Sequence, residues 1–371
     1  MKIKEIKGYK LFFTNNIKNK IYSDLKKIMN TGNLSMGIYV DRLENKFKQI
    51  HKSKYAVACN SGGGALEIIF KSLDLKGKDV LVPTNTFIAT YNAVKFSGGI
   101  PKLVDTGPEN LNITLETIKK KVTKKTKCIV IVHVGAIISN EIVKIAKFCK
   151  NKKIYLVEDC AHASLTKLGN KFAGNFGIAG AFSFYSTKSI TSGEGGMVTT
   201  NNYQLYKKLK LHTSYGMTKK YNNFNYLLYG ANFRMNEAEA IIGYHHLINY
   251  NSYLKEKIKI KKIYDQNLRN KINIVRSNSK GNLYKYICLL PKNKSKKNLI
   301  KYLNKNNIFL SGDVYNKPLH KYNLIRKEHS KINLPNSEDV CSRHICLPIY
   351  LGLKNQDAKF ISNKIIQFLK K

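Results

Sequence analysis

From residue 55 onward the chain alternates short apolar runs with helix-patterned stretches, and this alternation limits the possible folds more than any other feature. Candidate strands at 55–59, 79–83, 101–105, 128–134 and 154–159 are separated by helical patterns at 65–73, 87–96, 114–123 and 139–151. A strand, a helix and a further strand close as a right-handed crossover. The reading is therefore α/β, with a mostly parallel sheet covered on both faces. Runs such as Tyr55-Ala56-Val57-Ala58-Cys59 are apolar throughout, as strands covered on two sides must be.

The flanks extend this scheme. Residues 1–30 form a basic arm with a helix at 17–29, and 37–47 carries apolar side chains at helical spacing. A helix at 203–212 leads into a stretch rich in Tyr and Asn that reads as a loop, and a long helical segment from 236 to about 262 bridges to a second unit. There, 283–290, 297–303 and 308–314 suggest strand, helix and strand, and 357–369 a closing amphipathic helix. At 371 residues the chain is long enough for two domains: 1–245 as a large domain with the N-terminal arm, and 246–371 as a small α+β domain.

Ligands of open α/β sheets collect outside the carboxyl ends of the strands, and two such ends carry chemistry. The run 154–159 ends in Glu158-Asp159 and continues Cys160-Ala161-His162. A second run, Phe182-Ser183-Phe184-Tyr185, delivers Lys188 into a turn closed by Gly193-Glu194-Gly195-Gly196, before Met197-Val198-Thr199-Thr200 resumes an extended pattern. An amine and a carboxylate brought together suit pyridoxal phosphate, whose aldehyde takes an amine and whose ring nitrogen takes an anionic partner. Most of the 65 Lys and Arg residues must instead be solvated surface, and a strand-end aspartate also serves as a helix cap or turn residue. Ser61-Gly62-Gly63-Gly64 lies between a strand and a helix, where bare N–H groups can hold a phosphate, or where glycines merely turn the chain. No Gly-Lys-Ser/Thr follows, which excludes a Walker loop. Gly174, Gly177 and Gly180 are spaced as GxxGxxG without the helix that a dinucleotide fingerprint needs.

Composition narrows the class. With 43% hydrophobic and 11% aromatic residues the chain is globular rather than disordered. No run approaches a membrane span, and the basic N-terminus lacks the continuous apolar core of a secretion signal. Seven cysteines, at 59, 128, 149, 160, 288, 341 and 346, are odd in number and include no CxxC pair. Free thiols are expected, with no disulfide framework, zinc site or other metal. A cytoplasmic protein with no membrane partner is the expectation. The net charge of +42, from 65 basic against 23 acidic residues, would suit nucleic-acid binding by counterion release. The basic residues are spread through helices and loops alike, with no recognised nucleic-acid module, so a solvated surface that attracts an anionic small substrate is the preferred reading.

Six strings are more specific: CNSGGGALEI (59–68), VPTNTFIATYNAV (82–94), PKLVDTGPENLNI (101–113), VEDCAHA (157–163), SFYSTKSITSGEGGMVTT (183–200) and ANFRMNEAEA (231–240). Together they resemble the signature blocks of the nucleotide-sugar aminotransferases, the DegT-type family of fold-type I pyridoxal-phosphate enzymes. They stand in family order across roughly residues 30–245, with a weaker echo in CLPIYLGL (346–353). The resemblance implies an aspartate-aminotransferase-like fold and conversion of a nucleotide-linked keto sugar to an amino sugar, with glutamate as donor. It also implies a homodimer with composite active sites. Relatives act too on keto-cyclitol or aminohydroxybenzoate-type precursors, and that alternative stays open, as does a basic nucleic-acid-binding or regulatory protein on the same scaffold.

By this resemblance Lys188 is the amine that holds the cofactor and moves the proton. A dehydratase branch carries histidine there, so lysine favours transamination. Asp159 would pair with the ring nitrogen, His162 would lie near the phenolic oxygen, and Phe87 would stack on the ring. Gly62, Gly63 and Ser183 would cradle the phosphate, with Gly63 standing where threonine is common and so removing one hydroxyl contact. Asn232 would reach the phosphate, and Arg234 the substrate, in a neighbouring subunit. His320, in the loosely matched Lys317-Pro318-Leu319-His320, would face the substrate. Apart from the resemblance, Phe87 also reads as a core residue, His162 as a structural hydrogen-bonder and Ser183 as an ordinary strand serine. HVGAIISNEI (133–142) departs from the turn many relatives carry, so this loop is expected not to position a ligand in their usual way.

Overall fold

The computed structural model describes residues 5–220, 223–276 and 278–371. The first four residues of the basic arm and residues 221 and 222 of the Tyr- and Asn-rich stretch lie outside them. The central sheet has seven strands: β1 Tyr55–Cys59, β2 Asp79–Pro83, β3 Ile100–Val104, β4 Thr126–Val132, β5 Tyr155–Asp159, β6 Ala179–Ser183 and β7 Gly196–Thr200. Their order is β1-β7-β6-β5-β4-β2-β3. From β3 to β6 every pairing is parallel, while β7 is antiparallel to both neighbours. The loop 184–195 between β6 and β7 carries no helix, so the chain turns back beside β6 instead of crossing over the sheet.

Alternation along each strand builds two cores. In β4, Ile129 and Ile131 enter one apolar cluster and Cys128 and Val130 the other, as the two-residue period of a strand dictates. The first cluster is closed by α1 (Asn15–Thr31), α2 (Ile38–His51) and the start of a long helix. The second is closed by α3 (Gly62–Ser72) and α4 (Ile88–Phe96). Each fully buried Ile or Val in these layers contributes about 1.5–3 kcal/mol relative to exposure. A charge at Ile131 or Val130 would therefore break the layer it faces.

The long helix, Glu237–Leu268, begins with a capping box. Asn236 accepts from the Glu239 N–H at 2.8 Å, and Glu239 accepts from the Asn236 N–H at 3.4 Å. Its buried residues as far as Tyr253 join the large-sheet core, whereas Ile260, Tyr264 and Leu268 join a third cluster. That cluster surrounds a three-stranded sheet, Asn273–Ile274, Tyr286–Leu289 and His344–Leu347, and the closing helix Asn355–Lys370. The change of core thus falls inside one helix, C-terminal to residue 245.

Three features differ from the sequence expectations. The arm divides between the two units, its helix α1 packing on the large-sheet core and its start on the C-terminal unit: Ile6 donates to Asn307 O at 2.8 Å and accepts from Phe309 N at 3.0 Å, and its side chain enters the third cluster. The stretch 308–314 is no strand. It makes one bridge to Ile6 and one backbone hydrogen bond to Cys346 O, and Gly312 at φ +75° ends its extension. The Tyr- and Asn-rich stretch contains a hairpin, Met217–Lys220 against Asn223–Tyr226. Its second strand is exposed along its length, so no buried face marked it in the sequence. Among the described residues no helix is long and apolar enough to cross a membrane.

Candidate active site

Parallel pairing of β5 with β6 sets Asp159 opposite Ala181, so the chain leaving β6 carries Lys188 past the acid. Asp159 is buried. Its Oδ2 accepts from Thr90 Oγ1 at 2.8 Å and its Oδ1 from the Ala161 N–H at 3.1 Å. Burial pushes this carboxyl above the usual range; the Thr90 and Ala161 bonds, then the charge of Lys188, pull it back. Lys188 shows the converse. Burial lowers its amine to about 8, opposed by Asp159 and reinforced by Lys285. The Lys188 Nζ sits 5.2 Å from the centre of the Tyr284 ring.

His162 is buried and stacks on Tyr284, with ring centres 4.6 Å apart and planes 23° off parallel. Burial, then the charges of Lys188 and Lys285, hold it well below the ordinary histidine range, so it is neutral. Its Nδ1 accepts the Gly135 N–H at 3.2 Å. The ring proton therefore resides on Nε2, which can only donate. Gly135 has φ +64°, and a Cβ there would stand 2.4 Å from Ile287 Cδ1. The departing loop 133–142 thus contributes to the site indirectly, by fixing the tautomer of His162.

Glu158 faces the other side of the sheet end. Its oxygens accept from the Gly174, Phe176 and Gly177 N–H groups at 2.8, 2.6 and 2.7 Å and meet His133 Nε2 at 2.9 Å. The glycine run after residue 173 thereby serves as a cradle for this carboxylate. Donor atoms of His133, Glu158 and Cys160 lie within 4.8 Å of one another, and the Glu158 oxygens of this trio are already committed to the bonds above.

The glycine corner forms the N-terminus of α3. Ser61 Oγ accepts the Gly64 N–H at 2.9 Å, leaving the earlier amides of the first turn directed outward. A Cβ on Gly62 would stand 2.7 Å from Ser183 Cβ, so this position must stay bare for β6 to approach. Gly63 differs: a Cβ there would make an ordinary 3.6 Å contact with Ala89, so the missing threonine is not excluded by space. Ser183 is buried and its hydroxyl accepts from the Tyr185 N–H at 3.3 Å. Phe87 caps α4 with 64% of its surface exposed and lines a cleft of about 590 Å³ together with Tyr315, which rules out the core reading.

The remaining candidates stand outside the cluster of Lys188, Asp159 and His162. Asn232 is exposed beside the glycine corner, its carbonyl accepting from Asn60 Nδ2 at 3.3 Å. Arg234 donates to Ser214 Oγ at 3.0 Å and stacks on Tyr215, 5.0 Å from the ring centre. His320 is buried with both nitrogens engaged, Nδ1 with Thr84 Oγ1 at 2.8 Å and Nε2 with Glu338 Oε1 at 3.0 Å. It acts as a clamp between segments, and this geometry leaves no ring nitrogen for a substrate. Sequence reasoning overlooked Thr90, Tyr284 and Lys285. Thr90 stands three residues after Phe87 on α4, a spacing that places both near one helix face and could have revealed it. Tyr284 and Lys285 arrive from the C-terminal unit with no local signal.

The arrangement combines an amine of lowered basicity, a buried carboxylate, a donating neutral imidazole and an anion-receptive corner. The DegT/DnrJ/EryC1/StrS aminotransferase family profile matches residues 15–366. The GDP-perosamine synthase of Escherichia coli O157:H7 is 30% identical over 338 residues, covering 90% of this chain and 91% of that protein. The GDP-perosamine synthase of Vibrio cholerae is 31% identical, covering 89% and 91%. Among solved structures, Helicobacter pylori PseC, an aminotransferase involved in the biosynthesis of pseudoaminic acid, shares the fold with a TM-score of 0.90 at 24% identity, covering 99% of this chain and all of that one. A DegT DnrJ EryC1 StrS aminotransferase from Brucella abortus matches with a TM-score of 0.86 at 25% identity, covering 96% and 97%. The fold is that of the fold-type I aminotransferases, and the chain belongs to the DegT/DnrJ/EryC1/StrS aminotransferase family.

Proposed function

We propose that the protein is a pyridoxal-phosphate aminotransferase that converts a nucleotide-linked keto sugar to an amino sugar, with an amino acid, glutamate in the first instance, as donor. The observation that carries this reading is the low-basicity Lys188 amine beside the buried Asp159 carboxylate. The residues present fit the cofactor: a desolvated carboxylate is stabilised by a cationic ring nitrogen, and the bare backbone at Gly62 leaves amides accessible to a phosphate. When bound, pyridoxal phosphate supplies an aldehyde that takes up amino groups and an electron-poor ring that accepts the charge released when an α-proton leaves.

The chain's own residues then divide the work. Lys188, lowered to about 8, is partly neutral near physiological pH and can take and return a proton at Nζ. Asp159, oriented by Thr90 and the Ala161 amide, holds a positive partner in place. His162 donates from Nε2 to a phenolic oxygen. Gly62, Gly63 and Ser183 receive the phosphate, and Phe87 covers one ring face. In a homodimer Asn232 and Arg234 would serve the partner's site. The exposed Met29, Leu34, Met36 and Ile38 are apolar surface that a second copy would cover. On this reading the enzyme is cytoplasmic, in keeping with seven buried free cysteines.

The test is direct. Protein incubated with pyridoxal phosphate should become yellow, and borohydride should fix the label on Lys188. Lys188→Ala should abolish both the label and the transfer of nitrogen from labelled glutamate to keto-sugar nucleotides. A colourless protein that ignores the cofactor would refute the proposal.

A further inference from the structure

A cleft of about 280 Å³ opens beside Lys188, between the N-terminal arm, the helix Glu237–Leu268 and the segment at Tyr284-Lys285. Gly62, Gly63, Ser183 and Phe87 are not among its lining residues, so it is separate from the phosphate corner and the ring-stacking face. Its walls present the ammonium groups of Lys188, Lys257 and Lys285. Lys285 donates to the Ser311 carbonyl, and Lys257 lies 3.5 and 3.4 Å from the carbonyls of Asn282 and Leu283. Among the described residues neither forms an ion pair with a carboxylate. The acid in the lining, Asp313, is paired with Lys296 at 2.8 Å.

His246 adds to the imbalance. Its Nδ1 accepts the Thr191 N–H at 2.9 Å, and burial lowers the ring to about 4, so it is neutral and carries its proton on Nε2 as a donor. Burial, then the charge of Lys285, lowers Lys257 to about 8. Four lysines, at 10, 188, 257 and 285, thus line the cleft against one acid, Asp313, a charge distribution that an anion with several acceptor oxygens would satisfy.

We propose that this cleft is an anion subsite that takes a compact dianion next to the reacting amine, held by Lys257 and Lys285 with a hydrogen bond from His246. The inference rests on the aminotransferase reading only for the identity of that amine. The cleft is at the small end of the roughly 300–1,000 Å³ typical of ligand pockets. It accommodates a dicarboxylate or a diphosphate but not a nucleoside as well. Both proposed substrates present such a group: the two carboxylates of the amino donor and the diphosphate of the nucleotide sugar.

Calorimetric titration of the intact protein with glutarate and, separately, with pyrophosphate tests it. At least one anion should bind, more weakly at high salt. Lys257→Gln and Lys285→Gln should each weaken binding by about tenfold or more, the scale of one charge-assisted hydrogen bond, while Lys257→Arg should retain most of it. Glutarate binding assigns the subsite to the donor, and pyrophosphate binding assigns it to the nucleotide sugar. Failure of both anions to bind, or wild-type affinity in both folded glutamine variants, overturns the proposal. Should Lys257→Gln not fold, as read by circular dichroism, Lys285→Gln decides alone. Cofactor uptake is followed separately by visible absorbance. Anion binding without uptake sinks the aminotransferase reading and leaves the subsite; uptake without anion binding does the reverse.

Discussion

Replacing Thr90 with valine would isolate the support of the Asp159 carboxylate. Valine keeps the branched shape of threonine and removes the hydroxyl that donates to Asp159 Oδ2 at 2.8 Å in a buried setting. A hydrogen bond to a charged group contributes about 1.5–3 kcal/mol. Its loss should raise the Asp159 pKa further, because the charged form loses a donor that the protonated form needs less. The sign follows from linkage. Asp159 is already raised in the folded state above its ordinary 3.8, so the folded form binds the proton more readily than the unfolded form, and Asp159 disfavours folding at pH above its folded pKa. Thr90→Val enlarges that effect. Its penalty should be full at neutral pH and shrink as pH falls through the raised folded value, where a protonated Asp159 no longer needs the donor. Urea unfolding of the two proteins at neutral and at acidic pH measures the difference. Thr86→Val is the control, because Thr86 Oγ1 meets Thr90 Oγ1 at 2.8 Å without reaching the acid, and a neutral bond contributes only about 0.5–1.5 kcal/mol with little pH dependence. A Thr90→Val penalty that is absent, or equal at both pH values, would show that the hydroxyl does not stabilise the anion.

Three other substitutions give contrasting outcomes. Glu158→Gln would turn an NH₂ toward at least one of the backbone N–H groups that now donate to the carboxylate, and should cost about 1–3 kcal/mol in urea unfolding, the penalty of a buried donor left without an acceptor. A cost below about 1 kcal/mol refutes this account, and a chelator that lowers wild-type stability would instead place a cation among His133, Glu158 and Cys160. The adjacent glycines of α3 should respond with opposite signs. Gly62→Ala drives a Cβ to 2.7 Å from Ser183 Cβ and should cost about 1–3 kcal/mol, while Gly63→Ala, with 3.6 Å to Ala89, should stabilise the helix by about 0.5–1 kcal/mol in thermal melts.

The helix Glu237–Leu268 shows where sequence reading reached its limit. Its start at residue 236 and its helicity were legible in the sequence pattern. The residue at which its buried face passes from one core to the other was not, because periodicity reports that a face is covered and not by what. The pairing of 217–220 with 223–226 went unread for a related reason: its second strand is exposed, and exposed strands leave no alternation. His320 was placed by a loose match of four residues, and only the positions of Thr84 and Glu338 reveal that its nitrogens are occupied.

What the sequence by itself determined is local. Strand and helix periodicity set the parallel core of β2 to β5, and the strand-end residues Asp159 and the Lys188 turn follow from chain order. The protonation and orientation of those groups belong to tertiary structure. Lys188 is lowered by burial and by Lys285, nearly one hundred residues away, His162 owes its tautomer to Gly135, and the cleft beside the amine is closed by an arm that packs on the opposite end of the chain. Electrostatic environment depends on distance through space and on exclusion of water, and neither quantity is written in the order of residues.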